Sequence, residues 1–294
     1  LPAGDCISAE KADKGYLPLF ALCGIQEKNL MIPDPNLTPD PDLNAVLREF
    51  ATSVQATLGQ NFVAAYLQGS LATGGWDEHS DVDFLVVTEH DLTLAEVEAI
   101  NAMHAEIFKM DTRWAKHLDG SYISRRLVKQ EDPTHTPIYY LDNGSTEVEL
   151  SPHDNTLVVR WMILENGVTL AGPPPQELIN PVSAEALRRE VRQTMHDWGA
   201  EILSGKYQLD NRWAQPFAVI MYCRMLQTLE SGRIHSKQAG YEWAIQNLAP
   251  HWRPLIERAW AERPSPGWKY SQAADTAEQQ LTLEFIRRAL SEFG

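Results

Sequence analysis

The chain has 294 residues, 44% hydrophobic and 22% charged, a balance that fits a globular protein with material for two domains. A formal charge of −15 disfavours non-specific nucleic-acid binding and is compatible with a cationic partner steered to an acidic cleft. No apolar run approaches the ~18 residues of a membrane span. Cys6, Cys23 and Cys223 are odd in number and form no Cys-x-x-Cys, which argues for a reducing, cytoplasmic setting without a disulfide scaffold.

In chain order, residues 1–40 read as an extension docked on the surface. The run Tyr16 to Ile25 is interrupted by Pro18 and preceded by charges of both signs, unlike a secretory leader. Asp40 and Pro41 open a helix to Leu58, with Leu43, Val46, Leu47, Phe50, Val54 and Leu58 on one stripe and Gly59 as its stop. Phe62 to Leu67 reads as a strand. Thr93 and Glu96 form a capping box for a helix with Leu94, Val97, Ile100, Met103 and Ile107 inward. Leu118 to Val128 is the next expected strand, with Asp119 at its start. Asp142-Asn143-Gly144 then separates two hairpin strands, Ile138 to Leu141 and Glu147 to Leu150. Asp154 is expected to cap a buried helix through Glu165, and Gly172-Pro173-Pro174-Pro175 reads as a linker. From Ser183 onward only helical patterns appear, so the boundary between a sheet domain (41–182) and an all-helical domain (183–294) is placed near Pro181.

The chemistry concentrates between Tyr66 and Thr88. A strand breaks at Gly69-Ser70, a loop follows, and a second strand begins with Asp81 and Asp83 two apart. Side chains at that spacing share a face, about 6.6 Å apart along a strand. A divalent cation relieves the repulsion between such carboxylates, and a Gly-Ser turn offers N–H and hydroxyl groups to phosphate. Together they point to a metal–nucleotide site. A third carboxylate on a neighbouring strand is then needed as base, the candidates being Asp119, Glu147 and Glu149.

Gly69, Ser70, Gly74, Asp81 and Asp83 resemble the signature of the nucleotidyltransferase superfamily. The pattern from about Ala64 through the helix after Ser236 is most similar to the streptomycin/spectinomycin adenylyltransferases and their uncharacterised relatives. The most specific further points are LAGPPPQELINPVS from Leu170 to Ser183, the helix bearing Arg224, and Ser231-Gly232-Arg233-Ile234 leading to Lys237.

The resemblance implies an α/β (α+β) fold, a nucleotidyltransferase-fold domain with a mixed sheet followed by a helical bundle. It also implies Mg²⁺ on Asp81 and Asp83, ATP held by Gly69, Ser70, Arg224 and Lys237, and Asp119 where the family has a longer Glu as base. Trp198 lies where the family packs a Trp against streptomycin, a place that equally suits core packing. The implied reaction moves AMP from ATP to a hydroxyl of a cationic acceptor such as an aminoglycoside, in a protein expected to be monomeric. Two rivals remain open on sequence: adenylylation of a protein or another metabolite, and a decayed, nucleotide-binding regulator.

Overall fold

The computed structural model describes residues 37–73, 76, 80–263 and 269–293; the expected extension, Gly74, His79, Cys6 and Cys23 lie outside them. In chain order the elements are α1 (Pro41–Leu58), β1 (Phe62–Leu67), α2 (Gly69–Thr73), β2 (Val82–Thr88), α3 (Leu94–Phe108), β3 (Leu118–Ser124) and α4 (Arg125–Val128). They continue with β4 (Ile138–Leu141), β5 (Val148–Ser151), α5 (Leu157–Asn166), β6 (Val168–Ala171), α6 (Ala184–Ser204), α7 (Ala214–Ser231), α8 (Lys237–Asn247), α9 (Arg253–Glu262) and α10 (Thr276–Phe293).

The strands form one mixed six-stranded sheet in the order β5-β4-β3-β2-β1-β6. Among the described residues only β2 and β3 pair in parallel; the other pairings are antiparallel. That parallel pair aligns Asp83 with Asp119. Strand periodicity then decides what shares their face. Leu85, Val87 and Ile123, further along the same strands, are buried against Val159 and Ile163 of α5. Phe84 and Val86 point to the opposite face and pack on Phe50 and Val54 of α1 and Ile100 of α3. Apolar packing on both faces thus fixes the strands, and Asp83 and Asp119 sit at their N-terminal ends on the face of Leu85 and Ile123.

Several expectations are corrected. Strand β3 ends at Ser124, and residues 125–128 turn into α4. The cap of α5 is Thr156, whose hydroxyl accepts from the N–H of Val159; Asp154 is buried and accepts from the Ser121 hydroxyl at 2.8 Å. The proline-rich stretch after β6 is packed, since Tyr66 donates to the Pro173 carbonyl and Leu178 and Ile179 are buried in the core.

The helices after residue 183 surround a second apolar cluster of Val191, Met195, Val219, Tyr222, Leu226, Leu255 and Ile286. Glu190 of α6 accepts from the free N–H groups of Leu157 and Val158, joining α6 to the start of α5 where negative charge suits the helix dipole. No helix among the described residues is long and apolar enough to cross a membrane.

Arg160 is the largest fully buried side chain, and it donates to the carbonyls of Leu127, Val128 and Thr156 and to Asn155 Oδ1. Its removal strands four buried acceptors, each costing about 1–3 kcal/mol. Arg160→Met is therefore expected to destabilise the protein by about 3 kcal/mol or more, read as a fall in melting temperature of about 10 °C.

Candidate active site

The Gly-Ser break opens the five-residue α2 directly after β1. Gly69 adopts φ 66°, and a Cβ there would lie 1.9 Å from Asp83 Oδ2. Glycine is thus required twice over, by conformation and by the close approach of the carboxylate. Gln68 N–H donates to the Asp83 carbonyl at 2.9 Å, and the Ser70 N–H donates to the Asp83 side chain. The turn and Asp83 form one rigid unit. Gly69→Ala is expected to displace that carboxylate and to lower kcat by about 10²-fold in a pyrophosphate-release assay, with the circular dichroism spectrum unchanged.

Asp81, Asp83 and Asp119 are each half-buried and lie at one end of the parallel strand pair. Burial raises the pKa of Asp83 to about 7, with further upward pushes from Asp81 and Asp154. Burial likewise raises Asp119 to about 8, helped by the charge of Asp83, while a hydrogen bond from Tyr140 pulls it down. Asp81 is raised by burial and lowered by His117, Lys237 and Asn143. Asn143 Nδ2 donates to Asp81 Oδ1 at 2.6 Å, and Asn143 Oδ1 lies 2.9 Å from His117 Nδ1. Carboxylates crowded this way attract cations and resist being ionised together.

The cations come from the helices. Arg224 on α7 donates through Nε to the His235 carbonyl at 2.6 Å and lies in the field of Asp83. Burial lowers its pKa to about 10, still well above neutrality. Lys237, the first residue of α8, feels both Asp81 and Asp83. Its ammonium is 5.7 Å from the Phe217 ring centroid. Gly240 brings α8 against α7, since a Cβ there would sit 2.9 Å from Arg224 Cα. The close crossing sets the two cations side by side.

The residues Gly69, Ser70, Asp81, Asp83, Asp119, Arg224 and Lys237 are therefore brought together. Glu149 is exposed on β5, two strands away from β3, and Glu147 is equally remote, just before that strand. Trp198 is half-buried, stacked on Tyr222 and edge-on to Tyr207 and Phe217. Trp76 packs edge-on against Trp114 at 5.7 Å.

Sequence reasoning missed Asp154, Tyr140 and Asn143. The hairpin signal that identified Asn143 as a turn residue carries no trace of its reach to Asp81. Asp154 resembled a helix cap, and only the strand register shows Ser121 turned toward it.

Among the described residues no group of three or more His, Cys, Asp or Glu is arranged to hold a metal. That donor set nevertheless fits Mg²⁺, which takes one or two protein carboxylates and completes its shell with water and phosphate oxygens. Asp81 and Asp83 supply such a pair, with nearby cations for the remaining phosphate charge.

A signature turn locked to a strand carboxylate, a second acidic strand in register and a cationic helical wall define a nucleotidyltransferase. Comparison with known proteins agrees. The family model described as nucleotidyltransferase domain matches residues 47–114, and the one described as aminoglycoside adenylyltransferase, C-terminal domain, matches residues 177–291. The chain is thus similar in its sheet part to the nucleotidyltransferase domain and in its helical part to aminoglycoside adenylyltransferases. A spectinomycin 9-adenylyltransferase of Staphylococcus aureus is 27% identical over 218 residues, 70% of this chain and 79% of the relative. An aminoglycoside (3'') (9) adenylyltransferase of Escherichia coli is 21% identical over 239 residues, 74% and 84% of the two chains. The crystal structure of spectinomycin adenyltransferase AAD(9) from Enterococcus faecialis, with ATP and spectinomycin, superposes with a TM-score of 0.64 at 18% identity. It covers 84% of this chain and 99% of that one, and the likeness supports the fold.

Proposed function

We propose that this protein transfers AMP from ATP to a hydroxyl of a cationic aminoglycoside acceptor, releasing pyrophosphate. The observation that carries the reading is the pairing of Asp81, Asp83 and Asp119 on the sheet with Arg224 and Lys237 on the helices. Asp81 and Asp83 would hold Mg²⁺, which when bound neutralises charge developing on the phosphates. The Gly69-Ser70 turn and the two cations hold the triphosphate. Arg224 suits paired phosphate oxygens and Lys237 a single one. Asp119 accepts the proton of the attacking acceptor hydroxyl, whose oxygen forms a bond to the α-phosphorus as the bond to the pyrophosphate oxygen breaks.

The sheet part (41–182) and the helical part (183–294) act as the two jaws of this site. The acidic jaw favours a cationic acceptor and repels free anions. We place the protein in the reducing cytoplasm as a monomer acting in antibiotic resistance. The test is a pyrophosphate-release screen with ATP and GTP against streptomycin, spectinomycin and related aminoglycosides. Release that requires both ATP and an aminoglycoside supports the reading. Release that requires a protein acceptor, or ATP binding without turnover on the whole panel, contradicts it.

A further inference from the structure

The segment between α3 and β3 grips the chain around the start of β2 at four points. Trp114 meets Trp76 edge-on at 5.7 Å. Arg113 Nη2 donates to the Ser80 carbonyl at 3.0 Å. The His117 carbonyl accepts from the Val82 N–H at 2.8 Å, and the His117 ring reaches Asp81 through Asn143. These contacts fall where the sheet gives least support. The strand ladder places Asp83 opposite Asp119, whereas Asp81 lies one residue before β2 begins. Its carboxylate is set by what holds Ser80 on one side and Val82 on the other.

Arg113 takes no part in the phosphate clamp or the base, yet it is built firmly into place. Its guanidinium lies 4.0 Å from the centroid of the Trp114 ring, a cation–π contact that fixes the plane of the fork. Trp114 is buried, and its indole N–H donates to Asp40 Oδ2 at 2.8 Å. Asp40 in turn accepts from the N–H groups of Asp42 and Leu43 as the cap of α1. A continuous series of contacts therefore runs from the start of α1 through Asp40, Trp114 and Arg113 to Ser80. Arg113 Nη1 is buried without a hydrogen-bond partner, a loss that an apolar side chain of similar length would avoid. Packing alone does not account for an arginine here; the Nη2 bond and the charge do. Asp81 lies in the field of that charge. The side chain also borders an open cavity of about 550 Å³ shared with Asp42, Asp111 and Lys116. A shorter polar side chain there admits water and leaves no dry hole.

We infer that Arg113 is a positioning residue for the metal site: stacked on Trp114, it holds the Ser80 carbonyl and so keeps the Asp81 carboxylate beside that of Asp83 for a divalent cation. This rests on the metal part of the AMP-transfer reading above and adds to it the residue that sets the geometry of the pair.

The test uses Mn²⁺ as the probe, since it shares the octahedral oxygen preference of Mg²⁺. Its binding to the full chain without nucleotide is followed by loss of the free-ion electron paramagnetic resonance signal, for wild type, Arg113→Gln and Arg113→Lys. Arg113→Gln is expected to weaken binding about tenfold, as when a group that orients a metal ligand is lost. Arg113→Lys keeps the charge without the planar fork and is expected to weaken it about threefold. In pyrophosphate release at saturating ATP and aminoglycoside, the Mg²⁺ concentration for half-maximal rate should rise by the same factors. The ATP KM at saturating Mg²⁺ should stay within about twofold of wild type.

Arg113→Lys decides the matter where Arg113→Gln does not fold. Wild-type Mn²⁺ affinity in the folded variants overturns the inference, also where kcat falls at every Mg²⁺ concentration, because that pattern is a structural role alone. A wild type that binds Mn²⁺ but releases no pyrophosphate overturns the AMP-transfer reading, and the Mn²⁺ comparison still decides the role of Arg113. A wild type that binds no Mn²⁺ overturns the inference together with the metal part of that reading.

Discussion

Asp83→Asn is expected to remove AMP transfer, by at least about 10³-fold in kcat, while raising the melting temperature of the metal-free protein. Both effects have one cause. Asp83 is crowded by Asp81 and Asp154, and its pKa stands at about 7 against an ordinary value of 3.8. Asp119 stands at about 8. A folded-state pKa raised above the unfolded value means that the folded chain holds protons the unfolded chain has released. That contribution to stability is complete below the unfolded pKa and is lost as pH rises through about 7 and then about 8. The metal-free wild type should therefore lose stability toward alkaline pH, and Mg²⁺ should restore it.

In Asp83→Asn one of these charges is gone. Its melting temperature should match wild type below the ordinary carboxylate value of 3.8 and exceed it by several degrees near pH 8 in a chelator, about 2–4 °C for each kcal/mol. The buried His104 does not confuse the comparison. Its pKa is lowered to about 3, and its contribution, which changes between that value and the ordinary 6.5, is common to both chains and cancels in the difference. Calorimetry across pH, with and without Mg²⁺, checks the claim; a variant less stable than wild type at pH 8 without metal would contradict it.

Asp119→Ala is expected to lower kcat by about 10²–10⁴-fold with ATP KM little changed, because the residue serves the acceptor hydroxyl and not the triphosphate. Asp119 is a methylene shorter than the Glu that the sequence resemblance implies as base, and the structure supplies a brace. Tyr140, on the neighbouring strand, hydrogen-bonds to Asp119 and lies 3.2 Å from Asp142 Oδ1. The His153 ring packs on Tyr140 at 4.9 Å. Asp119→Glu should consequently retain much of the activity, and Tyr140→Phe should lose about tenfold in kcat at unchanged ATP KM. Steady-state kinetics at saturating ATP separates the cases. Full activity in Asp119→Ala would move the role of base elsewhere.

The fold was legible wherever local chemistry and periodicity agreed. Asp40 with Pro41, Thr93 with Glu96, Ser183 and Ser236 each open a helix at the expected place. The pair Asp81 and Asp83 was legible because a carboxylate doublet at a strand start carries its own electrostatic problem. Arg224 and Lys237 were reached only through resemblance, since a cation on a helix face looks the same whether it faces solvent or phosphate. The neighbourhood of Asp119 and Asp83 appears only in three dimensions, through the parallel register. The end of β3 was misread because Leu127 and Val128, after two arginines, suit either a strand or a helical turn. Asp154 was misread because a capping carboxylate and a buried one have the same local sequence. Asn143 and Tyr140 depend on neighbouring strands, which no local pattern encodes.

The central claim is that ATP is cleaved between its α- and β-phosphates and its AMP is passed to the acceptor. The direct measurement compares ATP labelled at the α-phosphate with ATP labelled at the γ-phosphate, incubated with the protein, Mg²⁺ and an aminoglycoside, and follows where the label goes. The account predicts that α-label enters the aminoglycoside and γ-label leaves as pyrophosphate, both effects vanishing in Asp83→Asn. Transfer of γ-label to the acceptor, or α-label found on protein alone, would contradict it.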